Sequence, residues 1–255
     1  MKIKGNTILI TGGGSGIGRG LAEALHGSGN QVIIAGRRQA VLDKIANANP
    51  GMRAFTLDIT DAKAIREFGL LMAAECPQLN VLVNNAGIER PEKLLAQAED
   101  LADVNETVAT NLLGPIRLTA ALLPHLQMQS RSAVVAVASA LAFVPFAAVP
   151  TYCATKAAMH SYMQSLRYQL RKTTTQVIEV IPPYVQTELG PSHANDPRAM
   201  PVQDFVAEVM TILQNEPDAQ EVVVERSKPL RFATEGGKFD QTFMALNSAM
   251  TPESL

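Results

Sequence analysis

The chain has 255 residues, 47% of them hydrophobic and 18% charged, which excludes a disordered segment and suits one large domain with a buried core. A net charge of −2 without a basic run argues against a nucleic-acid partner, and two cysteines without metal-type spacing argue against a metal centre. No apolar run reaches the length of a membrane span and the first strand pattern starts close to Met1, so no leader, no membrane partner and a cytoplasmic location are expected.

Ile8-Leu-Ile reads as a strand buried on both faces. Glycines at 12, 13, 14, 16, 18 and 20 follow, and a helix pattern covers roughly Arg19 to Ser28. A glycine turn that opens a helix lets backbone N–H groups face a phosphate, so a dinucleotide is the expected guest; a plain strand-to-helix turn is the alternative. The next strand, Gln31 to Gly36, ends in Arg37 and Arg38. A dinucleotide domain often places an acid here for the ribose hydroxyls of NAD. A guanidinium pair suits a 2′-phosphate instead, which favours NADP(H), unless the arginines merely open a solvated helix.

A helix over Val41 to Ala48 and a strand over Ala54 to Ile59 continue the alternation. Asp58 lies at that strand's C-terminal end, where it faces an adenine ring or caps a turn with Thr60. Helix Ala62 to Ala74 and strand Val81-Leu-Val lead to Asn84-Asn-Ala-Gly. A long helix pattern runs from about Asn105 to Gln129, interrupted at Gly114-Pro115 and at Pro124. Its leucines cover more than one stripe, as at a subunit interface. Strand Ala133 to Ala138, helix Thr151 to Arg171 and strand Val177 to Ile181 follow, the last running into Pro182-Pro183.

Glu188 to Pro201 reads as a mobile loop over a site. Helix Val202 to Gln214, strand Glu221 to Glu225 and a tail from about residue 233, with a short packing helix around Phe239 to Met250, complete the chain. The βαβα order predicts an α/β fold: a doubly wound parallel sheet in three αβα layers, forming a single domain over 1–255. Cys76 and Cys153 are expected to be buried and reduced.

Tyr152 and Lys156 stand four apart, on one face of a helix near its first turn. Acid/base work near neutrality asks a phenol for a pKa about three units below its usual value of about 10, and an adjacent ammonium favours the phenolate. Tyr152 can give a proton to a carbonyl oxygen or take one from an alcohol, and Ser139, at a strand's C-terminal end, can hydrogen-bond the same carbonyl oxygen. Asn111 is an amide inside a helix pattern, where it has low preference.

Together these residues resemble the short-chain dehydrogenase/reductase family over nearly the whole chain. Thr11-Gly-Gly-Gly-Ser-Gly-Ile-Gly is similar to its cofactor turn, Asn84-Asn-Ala-Gly to its strand-4 motif and Tyr152-Cys-Ala-Thr-Lys156 to its active-site motif. The resemblance implies a Rossmann-type fold and hydride transfer between NADP(H), with NAD(H) as the alternative, and a carbonyl or secondary alcohol. It implies Tyr152 as general acid/base, Lys156 lowering its pKa and holding the nicotinamide ribose, Ser139 polarising the carbonyl and Asn111 anchoring a proton relay. Gly12, Ser15, Gly16, Ile17, Gly18, Arg37, Arg38, Asp58, Ile59, Asn85, Ala86, Gly87, Tyr152, Lys156, Pro182 and Thr187 are its cofactor positions. Pro183 departs from the family's usual glycine.

Within the family the chain is most similar to bacterial oxidoreductases labelled by association with D-alanylation of teichoic acid, a label that names no substrate. A carbonyl reductase is expected, because NADPH is the usual cytosolic hydride donor, and a homodimer or homotetramer is the expected assembly. Leu141, Phe143, Val144, Pro145, Phe146 and Tyr184 suggest an apolar substrate. The rival class is a catalytically silent NADP(H)-binding sensor of the same fold.

Overall fold

The computed structural model describes residues 1–94, 101–190 and 196–248. Seven strands, β1 (Thr7–Thr11), β2 (Gln31–Gly36), β3 (Arg53–Thr56), β4 (Leu79–Asn84), β5 (Ser132–Val137), β6 (Thr175–Ile181) and β7 (Glu221–Val223), form one sheet in the order β3-β2-β1-β4-β5-β6-β7. Every neighbouring pair is parallel. The order reverses between β1 and β4, and ligands of such sheets bind at that switch, beyond the strands' C-terminal ends.

Side chains alternate across the sheet with period two. Ile8 and Ile10 join one core with α1 (Gly16–Gly27), α2 (Gln39–Ala48) and α7 (Val202–Asn215). Leu9 joins the other, with α3 (Ala62–Glu75), α5 (Gly114–Gln127) and α6 (Pro150–Leu170). Two apolar layers thus clamp the sheet, which explains the unbroken apolar runs of β1, β4 and β5.

Several boundaries differ from the sequence expectation. Helix α1 starts at Gly16, because glycine carries the turn straight into the first helical residues. Strand β3 ends at Thr56, so Asp58 and Ile59 belong to the loop beyond it, and β7 ends at Val223. Pro124 does not interrupt the long helix: α5 runs through it to Gln127. A helical turn missed in the sequence, α8 (Lys228–Arg231), precedes α9 (Phe239–Asn247). Met250 of the tail, and 191–195 of the Glu188–Pro201 loop, lie outside the described residues. The base of that loop is closed by a Val185–Met200 bridge.

Between α4 (Ala102–Val108) and α5 the helix widens into one π-helical turn, Ala109–Leu113, with Asn111 at its centre. Such a widening turns one side chain out of the regular helical register and is frequent at functional sites. Both cysteines are buried free thiols.

Candidate active site

A cleft of about 1060 Å³ opens beyond the C-terminal ends of the strands. At one end lies the glycine turn. Gly12 takes φ +67°, and a Cβ there would come within 2.9 Å of Ala86 Cα and of Asn85 Nδ2. At Gly18 a Cβ would meet both Asn85 Nδ2 and the Gly12 carbonyl oxygen, so α1 packs against the turn at a distance only glycine permits.

Thr11 ties turn to strand. Its hydroxyl accepts from the backbone N–H groups of Asn85 (3.0 Å) and Ala86 (3.1 Å), and Asn85 Nδ2 donates to the carbonyls of Thr11 (2.9 Å) and Gly12 (3.3 Å). Asn85 is therefore spent on shaping the turn. Ser15 caps α1 in extended conformation without a side-chain bond to the helix, and no acid stands in the first turn. The first N–H groups of α1 thus face the cleft with their partial positive charge uncompensated by a side chain, which suits a pyrophosphate.

Arg38 Nη2 lies 3.5 Å from Ser15 Oγ, beside the turn, whereas Arg37 leans toward Glu106 (3.6 Å). Asp58 accepts from Thr60 N (2.9 Å) and Thr60 Oγ1 (2.7 Å), so its carboxylate is committed at least partly to a local turn. Ile59 and Gly87 line the cleft, and Thr187 stands against Gly16 with its methyl 3.1 Å from where a Cβ would be. The Pro182 carbonyl accepts from Ala140 N (2.9 Å), fixing the segment after Ser139. These residues fit a nicotinamide dinucleotide.

At the other end Ser139, Tyr152 and Lys156 converge. The Ser139 hydroxyl accepts from Leu141 N (3.1 Å) and acts on the Tyr152 phenol, favouring its ionised form. Lys156 Nζ donates to the Val137 carbonyl (2.8 Å) and lies 5.5 Å from the Tyr152 ring centre. Burial lowers the Lys156 pKa to about 8, opposed by the charge of Glu89. The expected lowering of the Tyr152 pKa is not found. Burial, then the Glu89 charge, push it above its usual value, with the Ser139 hydroxyl acting against them. The physical reason is desolvation of a fully enclosed phenol, while Lys156 turns its ammonium to the β5 carbonyl.

Asn111 does not reach into the cleft by itself. Its Oδ1 accepts from Ile88 N (2.9 Å), and its Nδ2 donates to Ile88 O (2.8 Å) and Thr155 Oγ1 (3.3 Å). It locks the chain after β4 to the π turn and to α6.

Sequence reading missed two neighbours. Glu92 accepts from both Thr151 N and Thr151 Oγ1 (2.9 Å each) at the start of α6. Glu89 is buried in the cleft wall. An acid just past the C-terminal end of β4, where ligands gather, was the available signal. Of the apolar residues expected at the substrate, Leu141, Phe146 and Tyr184 line the cleft. Phe143 instead packs on His160 (4.7 Å) and Arg231 (4.4 Å), and Val144 is fully buried.

A family model described as short chain dehydrogenase matches residues 6–198. The chain belongs to the short-chain dehydrogenase/reductase family. It is 39% identical over 255 residues to the uncharacterized oxidoreductase DltE of Bacillus subtilis (strain 168), covering 97% of this chain and 99% of that one. An NADP complex of a short chain dehydrogenase from Burkholderia cenocepacia J2315 is similar in structure, with TM-score 0.81 and 25% identity over 99% of this chain and all of that one. A 3-ketoacyl-(acyl-carrier-protein) reductase from Brucella melitensis, complexed with NADH, shares the fold at TM-score 0.78 and 24% identity, over 89% of this chain and 100% of that one. The protein is an oxidoreductase of this family, with a Rossmann-type sheet and no helix among the described residues long and apolar enough to cross a membrane.

Proposed function

We propose that this family member is an NADP(H)-preferring carbonyl reductase. The observation that carries the reading is the convergence of Ser139, Tyr152 and Lys156 at one end of a cleft whose other end is the glycine turn. Below its pKa a phenol holds the proton that reduction of a carbonyl asks it to give.

When bound in the cleft, NADP(H) supplies the hydride. Ser15, the first N–H groups of α1 and Arg38 would hold the phosphates, Ile59, Ala86 and Gly87 would flank the ring systems and ribose, and Thr187 would face the carboxamide. Ser139 then orients the carbonyl oxygen, and the Tyr152 hydroxyl gives it a proton. Lys156, cationic below about pH 8, would stabilise the phenolate left behind and hydrogen-bond the ribose of the bound cofactor. Asn111 positions the Ile88 backbone at the entry of the proton path.

NADP(H) is favoured over NAD(H) by Arg38 beside Ser15, and by the absence of an acid at the end of β2. The same reading takes the enzyme as cytoplasmic and as a homodimer or homotetramer. In support, Leu70, Leu71 and Leu113 remain exposed on α3 and the adjoining π turn, although most leucines of the long helix are absorbed by the core. Light scattering after size exclusion tests the assembly.

The test of function is NADPH oxidation against a panel of aldehydes, ketones and diketones, beside NADH and beside Tyr152→Phe. Turnover with NADPH that is lost in the variant is expected. Tight NADPH binding with no turnover on any carbonyl overturns the reductase reading in favour of a sensor.

A further inference from the structure

The helix that carries Tyr152 and Lys156 does not cap itself. The first N–H groups of an α-helix lack partners within it, and a Ser, Thr, Asp or Asn just before the helix usually supplies one. Before α6 stands Val149, whose side chain makes no cap hydrogen bond. Pro150, in the first helical position, brings no N–H, so Thr151 N is the first donor in need of a partner.

That partner comes from a distant segment. Glu92, 59 residues earlier, accepts from Thr151 N with one carboxylate oxygen and from Thr151 Oγ1 with the other (2.9 Å each). Its own N–H donates to the Ala148 carbonyl (2.9 Å), so the loop after β4 is tied to the chain entering α6 through side chain and backbone together. A second tie joins the same segments one turn further on. Asn111 holds both backbone groups of Ile88 and donates to Thr155 Oγ1 (3.3 Å), which donates to the Tyr152 carbonyl (2.7 Å). The loop from Ile88 to Glu92 is thus fastened to α6 on both sides of Tyr152.

These ties lie at the substrate end of the cleft, which Ile88 and Pro91 line from the loop and Ala148, Val149 and Tyr152 from the helix. Val149, Tyr152 and Cys153 form a small apolar cluster of their own, apart from the two main cores. Apolar contact has no direction, so the angle at which the phenol is presented depends on the hydrogen bonds around it.

We propose that Glu92 is a positioning residue: it caps the catalytic helix from outside and thereby fixes where the Tyr152 hydroxyl stands relative to Ser139. Its consequence for rate rests on the reductase reading.

The test compares Glu92→Ala, which removes both acceptors, with Glu92→Gln, which keeps the length and an oxygen for Thr151 N. Glu92→Asp keeps the charge but is too short, and Thr151→Val removes only the hydroxyl. Hydrogen exchange of the Thr151 amide reads the cap without turnover. Glu92→Ala is expected to speed that exchange while leaving amides further along α6 unchanged. Its kcat with NADPH, for whichever carbonyl wild type reduces, is expected to fall about ten- to a hundredfold, the scale of a misplaced catalytic group, with NADPH affinity retained. Glu92→Gln is expected to restore most of kcat and Glu92→Asp little of it. Thr151→Val is expected to lower kcat by less, and to cost nothing more when added to Glu92→Ala, because it removes a bond already lost.

Unchanged Thr151 exchange in Glu92→Ala overturns the cap. Faster exchange with unchanged kcat, or a kcat loss that only follows the folded fraction, makes Glu92 a support of the fold and overturns the positioning role. Rescue by Glu92→Asp and not by Glu92→Gln also overturns it, because charge rather than reach then acts. Should Glu92→Ala fail to fold, Glu92→Asp gives the same readings. A wild type that reduces no carbonyl removes the reductase reading, and the exchange result then decides the cap alone.

Discussion

A phenol enclosed in protein gives up its proton reluctantly, and Tyr152 is enclosed on all sides with the Glu89 charge nearby. The Ser139 hydroxyl acts against this rise, while Lys156, one helical turn further on, is itself desolvated to a pKa of about 8. Tyr152→Phe removes the donor while keeping the ring, and kcat is expected to fall by about 10²–10⁴, the usual worth of a positioned acid. Steady-state turnover of whichever carbonyl wild type reduces measures it, with NADPH affinity largely retained. The arginines make a second contrast. Arg38 reaches the Ser15 hydroxyl, whereas Arg37 is 59% exposed and leans on Glu106. Arg38→Asp is therefore expected to raise the NADPH Kd by about 10–100-fold, because it removes a charge-assisted hydrogen bond to phosphate, with NADH little affected. Arg37→Asp is expected to do less. Titration of cofactor fluorescence ranks the two, and the reverse order removes Arg38 from the phosphate site.

Elements carry constraints that single residues do not. The glycine turn, β4 and α1 meet through Asn85, whose amide bonds two carbonyls of the turn while lying against Gly18. Gly18→Ala forces a methyl into that amide and the Gly12 carbonyl. The expected cost is about 1–3 kcal/mol in urea unfolding, with NADPH binding weakened as the turn shifts. An alanine as stable as wild type shows that α1 can retreat. The C-terminal helix is the opposite case. None of the α9 residues is fully buried, and Asn247 fastens it, accepting from Ala147 N (2.7 Å) and donating to Pro145 O (3.1 Å). Leu246 beside it lines the cleft. Asn247→Ala is expected to raise KM for apolar carbonyls several-fold while moving the melting temperature little, because α9 buries little apolar surface. A large stability loss with unchanged KM contradicts this division.

At the scale of the molecule, the sheet was legible because buried parallel strands between helices are continuous apolar runs, and Ile8 to Ile10 or Val81 to Val83 admit few other readings. The site was legible where a backbone requirement dictates residue type, as at Gly12 and Gly18, or where spacing on one helix fixes two side chains together, as for Tyr152 and Lys156. It was illegible where function depends on which way a side chain turns. Lys156 bonding Val137, Asn111 bonding Ile88 and the burial of Glu89 depend on packing between distant segments, and no local period encodes them. The same holds for a network behind α6. Glu179 on β6, fully buried, is 2.9 Å from His160 Nδ1 and 3.8 Å from Arg167, and Arg231 of α8 binds Glu221 of β7 (2.7 Å) and Glu235. Burial, then the Glu221 charge, raise the Glu179 pKa from 4.5 to about 8. The folded protein thus keeps a proton that the unfolded chain has released between those values. The sign follows: this contribution is fully present below pH 4.5 and is lost as pH rises toward 8, on the order of a few kcal/mol across the window. His160, lowered by burial from 6.5, acts in the opposite sense below that value, which leaves the interval from 6.5 to 8 to Glu179. Wild type is expected to lose urea stability steadily over this interval, whereas Glu179→Gln, neutral throughout, should stay nearly level and overtake wild type above about pH 8. Parallel slopes for the two proteins mean that Glu179 is ionised in the fold and that Arg167 and Arg231 balance its charge.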